Sequence, residues 1–369
     1  MRRIVYLDYA SLIPPRVDAI EAMRAAATNS WGNPRSMHVV GGRAEQAYEL
    51  ARQQVAEFLE TPPQSVVFTT SGRSALALAV RCALRKIGPE SLIVSSRQEH
   101  PALQVLLEKA EREGHRVDWL DLPEGVPSPS DTEKLGQAKL VALSACSHEL
   151  GTSLVDALRA LPASTIRVID AVQLAPWVSL AELDDSRTYY AISGAKLAAP
   201  MGVGAARVPA PDVYEARDAG APLEDESIPW IGAIALGAAC AARREVRSAA
   251  LVSARQRGDE LINLLHRQFP GVHVNGQLAA RLGPIVNVSI PGVVGKSLVA
   301  ALALEGVCIS HTAACHASRS DFAPVVRAAY PHTPERAVTA TRWSLGEDVE
   351  ADELAHAMNV LARITREST

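Results

Sequence analysis

Short, almost wholly apolar runs punctuate the first half of the chain. VVFTT (66–70), LIVSS (92–96), LVALSA (140–145), IRVIDA (166–171) and GVGAARV (202–208) lack the alternation of a half-wet strand. Continuous apolar character of this length belongs to strands covered on both faces. Helical periodicity fills the gaps. In GGRAEQAYELARQQVAEFLE, for example, Ala44, Ala47, Ala51, Val55 and Phe58 recur at helical spacing. Strand–helix alternation predicts a mostly parallel sheet wound on both sides, with its ligand site at the carboxyl ends of the strands.

From about Trp230 to Phe269 the pattern is long and helical. A smaller α/β unit follows: IVNVSI, a helix from about Gly295, VCIS, TATRWSLG, and a last helix with Leu354, Met358, Leu361 and Ile364 on one face. The expected organisation is α/β, with a large doubly wound domain over 14–245 and a smaller C-terminal α/β domain over 246–369. Residues 1–13 are expected to pack on the smaller domain.

Composition narrows the function. The 369 residues are 48% hydrophobic and 21% charged, with formal net charge -4 and no basic run, so nucleic acid is not an expected partner. No apolar stretch reaches membrane-spanning length, and MRRIVYLDYASLIPP lacks the apolar region of a signal peptide. Five cysteines (82, 146, 240, 308 and 315) are scattered without metal-ligand spacing. That predicts no disulfide framework, no metal site and a reducing, cytoplasmic setting.

The candidate chemistry centres on one lysine. The chain has six lysines, and Lys196 sits in SGAK behind the apolar YYAI, crowded by Ser193, Gly194 and Ala195, with Gly202 and Gly204 close behind. An isolated loop lysine is most often solvated. Small neighbours, however, let backbone approach a bulky ligand, and an apolar wall favours the neutral amine that attacks carbonyls. Asp170 closes the strand RVID at the same sheet edge. As an isolated aspartate it would read as a cap or turn residue. A nucleophilic lysine with a carboxylate is the pair that pyridoxal 5'-phosphate needs: the lysine for the Schiff base, the carboxylate to keep the pyridine nitrogen protonated.

Motifs in order along the chain extend this reading. They are YLDYA, GNPRSMH (32–38), QEH ending at His100, DAVQ (170–173), SGAK (193–196) and TRWSLG (341–346). Together they resemble the class V aminotransferases of fold type I, and within them most the cysteine desulfurases. The resemblance covers nearly the whole chain. It implies that His100 stacks on the cofactor ring and acts in catalysis, and that Gln173 contacts the phenolic oxygen. It implies phosphate contacts from Ser71, Gly72, Ser193 and Ser227, and substrate contacts from Arg342 and Asn33. Arg342 also suits that role physically, since a planar guanidinium forks onto an α-carboxylate. Arg73, a cation in the first turn of the helix after VVFTT, calls for an anion nearby and is expected to reach the phosphate as well. The family further implies a homodimer with active sites near the interface.

Desulfuration additionally requires a thiol that takes sulfur from L-cysteine as a persulfide. CISHTAACHASRSDF offers Cys315, in a small, polar stretch flanked by His311 and His316, where an imidazolium could lower its pKa. The desulfurases carry a similar segment, Ser-Ala-Cys-Thr-Ser, with an arginine twelve residues on, as Arg327 is here. Cys308, following Val307 in an apolar run, is expected in the core. The resemblance thus implies conversion of L-cysteine to L-alanine, with sulfur passed from Cys315 to an acceptor protein. The other readings are a class V aminotransferase, a selenocysteine lyase, or a weakly active relative serving as a binding partner in sulfur transfer.

Four departures from the family pattern stand out. Ser71-Gly72-Arg73-Ser74 replaces Gly-Ala/Gly-Thr-Glu, and Ala195 replaces a phosphate-binding histidine. CSHELG puts Ser147 or His148 where an asparagine contacts the cofactor. EDESIP leaves Ser227 as the match to a threonine that reaches the neighbouring subunit's phosphate.

Overall fold

The computed structural model describes residues 3–213, 230–312 and 322–367. Its frame is a seven-stranded sheet. In chain order the strands are β2 (Val66–Thr69), β3 (Leu92–Ser96), β4 (Arg116–Leu120), β5 (Leu140–Ser144), β6 (Ile166–Asp170), β7 (Thr188–Ser193) and β8 (Gly204–Arg207). Their spatial order is β2-β8-β7-β6-β5-β3-β4. The pairs β3–β4, β3–β5, β5–β6 and β6–β7 are parallel, whereas β8 runs antiparallel to both β2 and β7.

Every residue of β2, β5, β6 and β8 is buried. One face packs under the helices Gly72–Leu84 and Pro101–Arg112. The other packs on Val39–Leu59, in which Ala44, Ala51, Val55 and Phe58 are buried at the expected spacing. The two-sided cover explains why these strands are apolar throughout.

The smaller unit holds β9 (His273–Asn275), β10 (Ile285–Ser289) and β12 (Ala340–Ser344), an antiparallel sheet in the order β12-β10-β9. The helices Gly295–Leu304 and Ala351–Glu367 belong to the same unit, and residues of both are buried in its core. β11 (Val307–Cys308) does not join that sheet. It pairs in parallel with β1 (Val5–Tyr6) from the start of the chain, which also bridges onto β12 through Asp8 and Ser344. Cys308 is therefore half-buried at a two-stranded ribbon, where a core position was expected.

The helix Trp230–Gln268 links the two cores. Ala233, Leu236 and Cys240 pack into the core of the large sheet, and Ala254, Leu261 and Leu265 into that of the smaller one. At 1.5 Å per residue its 39 residues span about 58 Å, enough to run the length of both.

Candidate active site

The parallel strands deliver their carboxyl ends to one edge, and the candidate residues meet there. Asp170 is the last residue of β6, and its Oδ1 accepts from the amide of Val172 at 3.0 Å. Burial pushes its carboxyl up to about 6, against the opposing pull of that amide and of the Lys196 ammonium. In the turn that follows, Gln173 Nε2 donates to the carbonyl of Ala10 at 2.9 Å. β7 ends at Ser193 and passes into the tight turn Gly194–Lys196, pinned by Gly194 N–H to the Val203 carbonyl at 3.0 Å. Half-buried Lys196 donates from Nζ to the carbonyl of Ser11. The lysine and the glutamine thus both bond to the N-terminal segment, at Ser11 and Ala10, and the aspartate lies within electrostatic reach of the lysine.

His100 opens the helix Pro101–Arg112 and caps it, Nδ1 accepting from the amide of Ala102 at 3.1 Å. This bond assigns the remaining ring hydrogen of a neutral His100 to Nε2. Its ring meets that of His148 edge-on, with centroids 5.4 Å apart. In the 146–152 loop, Ser147 is consumed by the turn: its Oγ accepts from Leu150 N at 3.1 Å and its carbonyl from Gly151 N. Of the pair Ser147 and His148, it is therefore His148 that reaches the site, and it is buried there.

A second loop–helix junction stands beside them. Ser71 caps the helix Gly72–Leu84, its Oγ accepting from Ser74 N at 3.1 Å. A side chain at Gly72 would press its Cβ to 2.9 Å from Ser193 Cβ, and one at Gly204 would sit 2.5 Å from the Ser71 carbonyl carbon. Glycine at both positions lets the helix N-terminus, Ser193 and the lysine turn close on one another. The first amides of a helix have no intrahelical partner and the dipole there favours an anion, so this junction fits a phosphate. Arg73 is exposed in the first turn of the same helix.

Arg342 enters from the smaller unit. It pairs with Asn287 across β10–β12, and its backbone exchanges hydrogen bonds with Ser310 at 2.7 and 3.1 Å. Its side chain is almost wholly buried. Nη1 donates to the His148 carbonyl at 2.9 Å and Nη2 to Asp8 Oδ1 at 3.0 Å. Nε is buried with no hydrogen-bond partner among the described residues.

Asn33 is exposed, and its Oδ1 accepts from the amide of Arg35 at 2.8 Å. Cys315 and Ser227 lie outside the described residues. Two site residues were missed by the sequence reading. Asp8 lies within YLDYA and Glu99 beside His100, and neither carries a sequence signal of its own. Glu99 is fully buried, accepting from the amide of Ser144 at 3.0 Å on both oxygens and from its hydroxyl on Oε2.

The sequence profile described as Aminotransferase class-V matches residues 5–354. The chain belongs to the class V aminotransferase family. Among curated relatives, a "Cysteine desulfurase" of Nostoc sp. is 27% identical, covering 88% of this chain and 84% of that protein. A "Cysteine desulfurase IscS" of Psychromonas ingrahamii is 28% identical, covering 98% and 93%.

Solved structures share this class V fold. A "NIFS-LIKE PROTEIN" superposes with a TM-score of 0.85 at 21% identity, covering 99% of this chain and 100% of that one. An apo cysteine desulfurase from Thermococcus onnurineus NA1 gives 0.83 at 19% identity, covering 99% and 95%. Among the described residues no cluster of three His, Cys, Asp or Glu side chains is placed to hold a metal ion, and no helix is long and apolar enough to cross a membrane.

Proposed function

We propose that this class V chain is a pyridoxal-phosphate-dependent cysteine desulfurase that converts L-cysteine to L-alanine and loads the sulfur on Cys315. The observation that carries the reading is the convergence of Lys196, Asp170, Gln173 and His100 at one sheet edge, with a helix N-terminus on one side and a buried arginine on the other.

The donor set fits the cofactor. Lys196 offers the amine, and Asp170 a buried carboxyl facing that amine's charge. Ser71, Gly72 and Ser193 form the phosphate cradle, which Arg73 and Ser227 would complete. Gln173 and His148 would contact the phenolic oxygen and His100 the ring face. When bound, pyridoxal phosphate supplies an electron sink that acidifies the substrate α-carbon.

The chain's own residues do the rest. Arg342 anchors the α-carboxylate; its Nε, without a partner among the described residues, is one of the donors left for the fork. Asn33 supports the substrate as well. Lys196 would hold the cofactor through its amine and, as the base beside the substrate α-carbon, would move the α-proton. The thiolate of Cys315 then attacks the substrate γ-sulfur. An S–S bond forms as the C–S bond breaks, leaving a persulfide on Cys315 and, after protonation, L-alanine. An acceptor protein takes the sulfur by thiol exchange. The working form is a cytoplasmic homodimer with its active sites near the interface.

The other cysteines support the choice of thiol. Burial pushes the Cys146 thiol up to about 12 and raises Cys240, Cys82 and Cys308 as well. Thiols held protonated are poor nucleophiles at neutral pH. Incubating the holoenzyme with L-cysteine and assaying alanine tests the reading; no alanine would overturn it.

A further inference from the structure

The proposed function leaves Asp8 without a task, yet Asp8 holds one arm of the residue on which carboxylate recognition depends. Its Oδ1 accepts from Arg342 Nη2 at 3.0 Å, and the two side chains are 17% and 2% exposed. This is no loose surface carboxylate. The Asp8 carbonyl accepts from Tyr6 Oη at 3.1 Å and from Ser11 N at 2.9 Å, and the residue bridges to Ser344 of β12. Leu7, just before it, donates its amide to the Cys308 carbonyl at 2.8 Å. The backbone that carries the carboxylate is held in place from both sides.

Two physical consequences follow. The first is geometric: Asp8 on Nη2 and the His148 carbonyl on Nη1 occupy two of the five guanidinium N–H donors and fix its plane, with Nε among the donors that have no partner within the described residues. The second is electrostatic. The guanidinium charge is already matched by Asp8, so an arriving α-carboxylate meets a pair of net charge near zero and a like charge beside it. Substrate L-cysteine and product L-alanine carry the same carboxylate. An unmatched buried arginine would bind both tightly, which is uniform binding that slows product release without helping the chemistry.

Given the reading of Arg342 as the carboxylate anchor, on which this rests, we infer that Asp8 is a positioning residue that orients Arg342 and weakens its grip on carboxylates.

The test uses holoenzyme titrated calorimetrically with propionate, a carboxylate with neither amine nor thiol. Asp8→Asn keeps the acceptor oxygen and the shape but removes the charge. It should tighten propionate by at least about threefold, a change that mere structural damage would not produce. Asp8→Ala removes the acceptor too and should bind propionate less tightly than Asp8→Asn, because the guanidinium loses its orientation. Unchanged or weaker propionate binding in Asp8→Asn overturns the charge role, and Asp8→Ala binding more tightly than Asp8→Asn overturns the orienting role. An Arg342→Ala arm separates the two readings: it should lose propionate affinity, and retention there would instead overturn Arg342 as the anchor.

Discussion

Ser144 and Asp170 face each other across the parallel pair β5–β6, and Ser144 donates both its amide and its hydroxyl to Glu99. Two buried carboxyls therefore share one sheet edge. Burial pushes Glu99 up to about 7 from 4.5, with the Asp170 charge adding to the shift. A carboxyl whose folded value lies above its unfolded value binds more protons in the native state, so it lowers stability as pH rises through that window.

Glu99→Gln keeps the shape and cannot ionise. Thermal midpoints of parent and variant should be similar near pH 5, and the variant should gain on the parent as pH rises to 8. The full difference is on the order of 3 kcal/mol for a shift of that size. A parent that gains on the variant over the same range would mean that Glu99 is stabilised as the anion.

Lys196 should hold the cofactor. Purified protein is expected to be yellow, and Lys196→Ala should lose the visible band of the lysine-bound cofactor while keeping its far-ultraviolet circular dichroism. An unchanged band would assign the link to another lysine.

Arg73 should compensate for Ala195. A cation in the first turn of a helix is unfavourable in itself and calls for an anion nearby. Arg73→Thr should weaken pyridoxal phosphate binding, and adding Ala195→His should recover much of it. Affinity untouched by the single change would leave the phosphate to backbone amides and the serines of the cradle.

The strands that sequence makes legible are those whose environment is uniform. β2, β5 and β6 are buried throughout, so their apolar runs need no partner to be recognised. β4, RVDWL, lies at the sheet edge and carries polar residues among its apolar ones. β9 has three residues and β1 two, too short to stand out; β11 falls within the legible run VCIS, but its partner β1 lies some three hundred residues away. The site divides the same way. Lys196, Asp170 and His100 announce themselves by their place after apolar strands, and Gln173 only through the resemblance of DAVQ to the family motif. Asp8 acquires its meaning from Arg342, 334 residues away, and Ser11 from Lys196, 185 residues away. Glu99 carries no signal of its burial, since a glutamate is seldom found inside without a cation.

Arg342 should set the preference for an amino acid over an amine. Losing a buried, charge-assisted contact costs roughly 2–5 kcal/mol, so Arg342→Ala should weaken cysteine binding by about tenfold or more. Cysteine and cysteamine, which lacks the carboxylate, should then bind alike. The variant should also melt lower, because Asp8 is left as a largely buried charge without its cation. A preserved preference for cysteine would contradict the role.

The central claim is that this site moves sulfur from L-cysteine onto Cys315, and intact-protein mass spectrometry after incubation with L-cysteine tests it most directly. The parent holoenzyme should gain the mass of one sulfur, removable by a reducing thiol and mapping to Cys315, with free alanine in solution. Cys315→Ser should bind cofactor and cysteine yet gain no sulfur. Sulfur carried equally by Cys315→Ser, or a parent that gains none, would contradict the account.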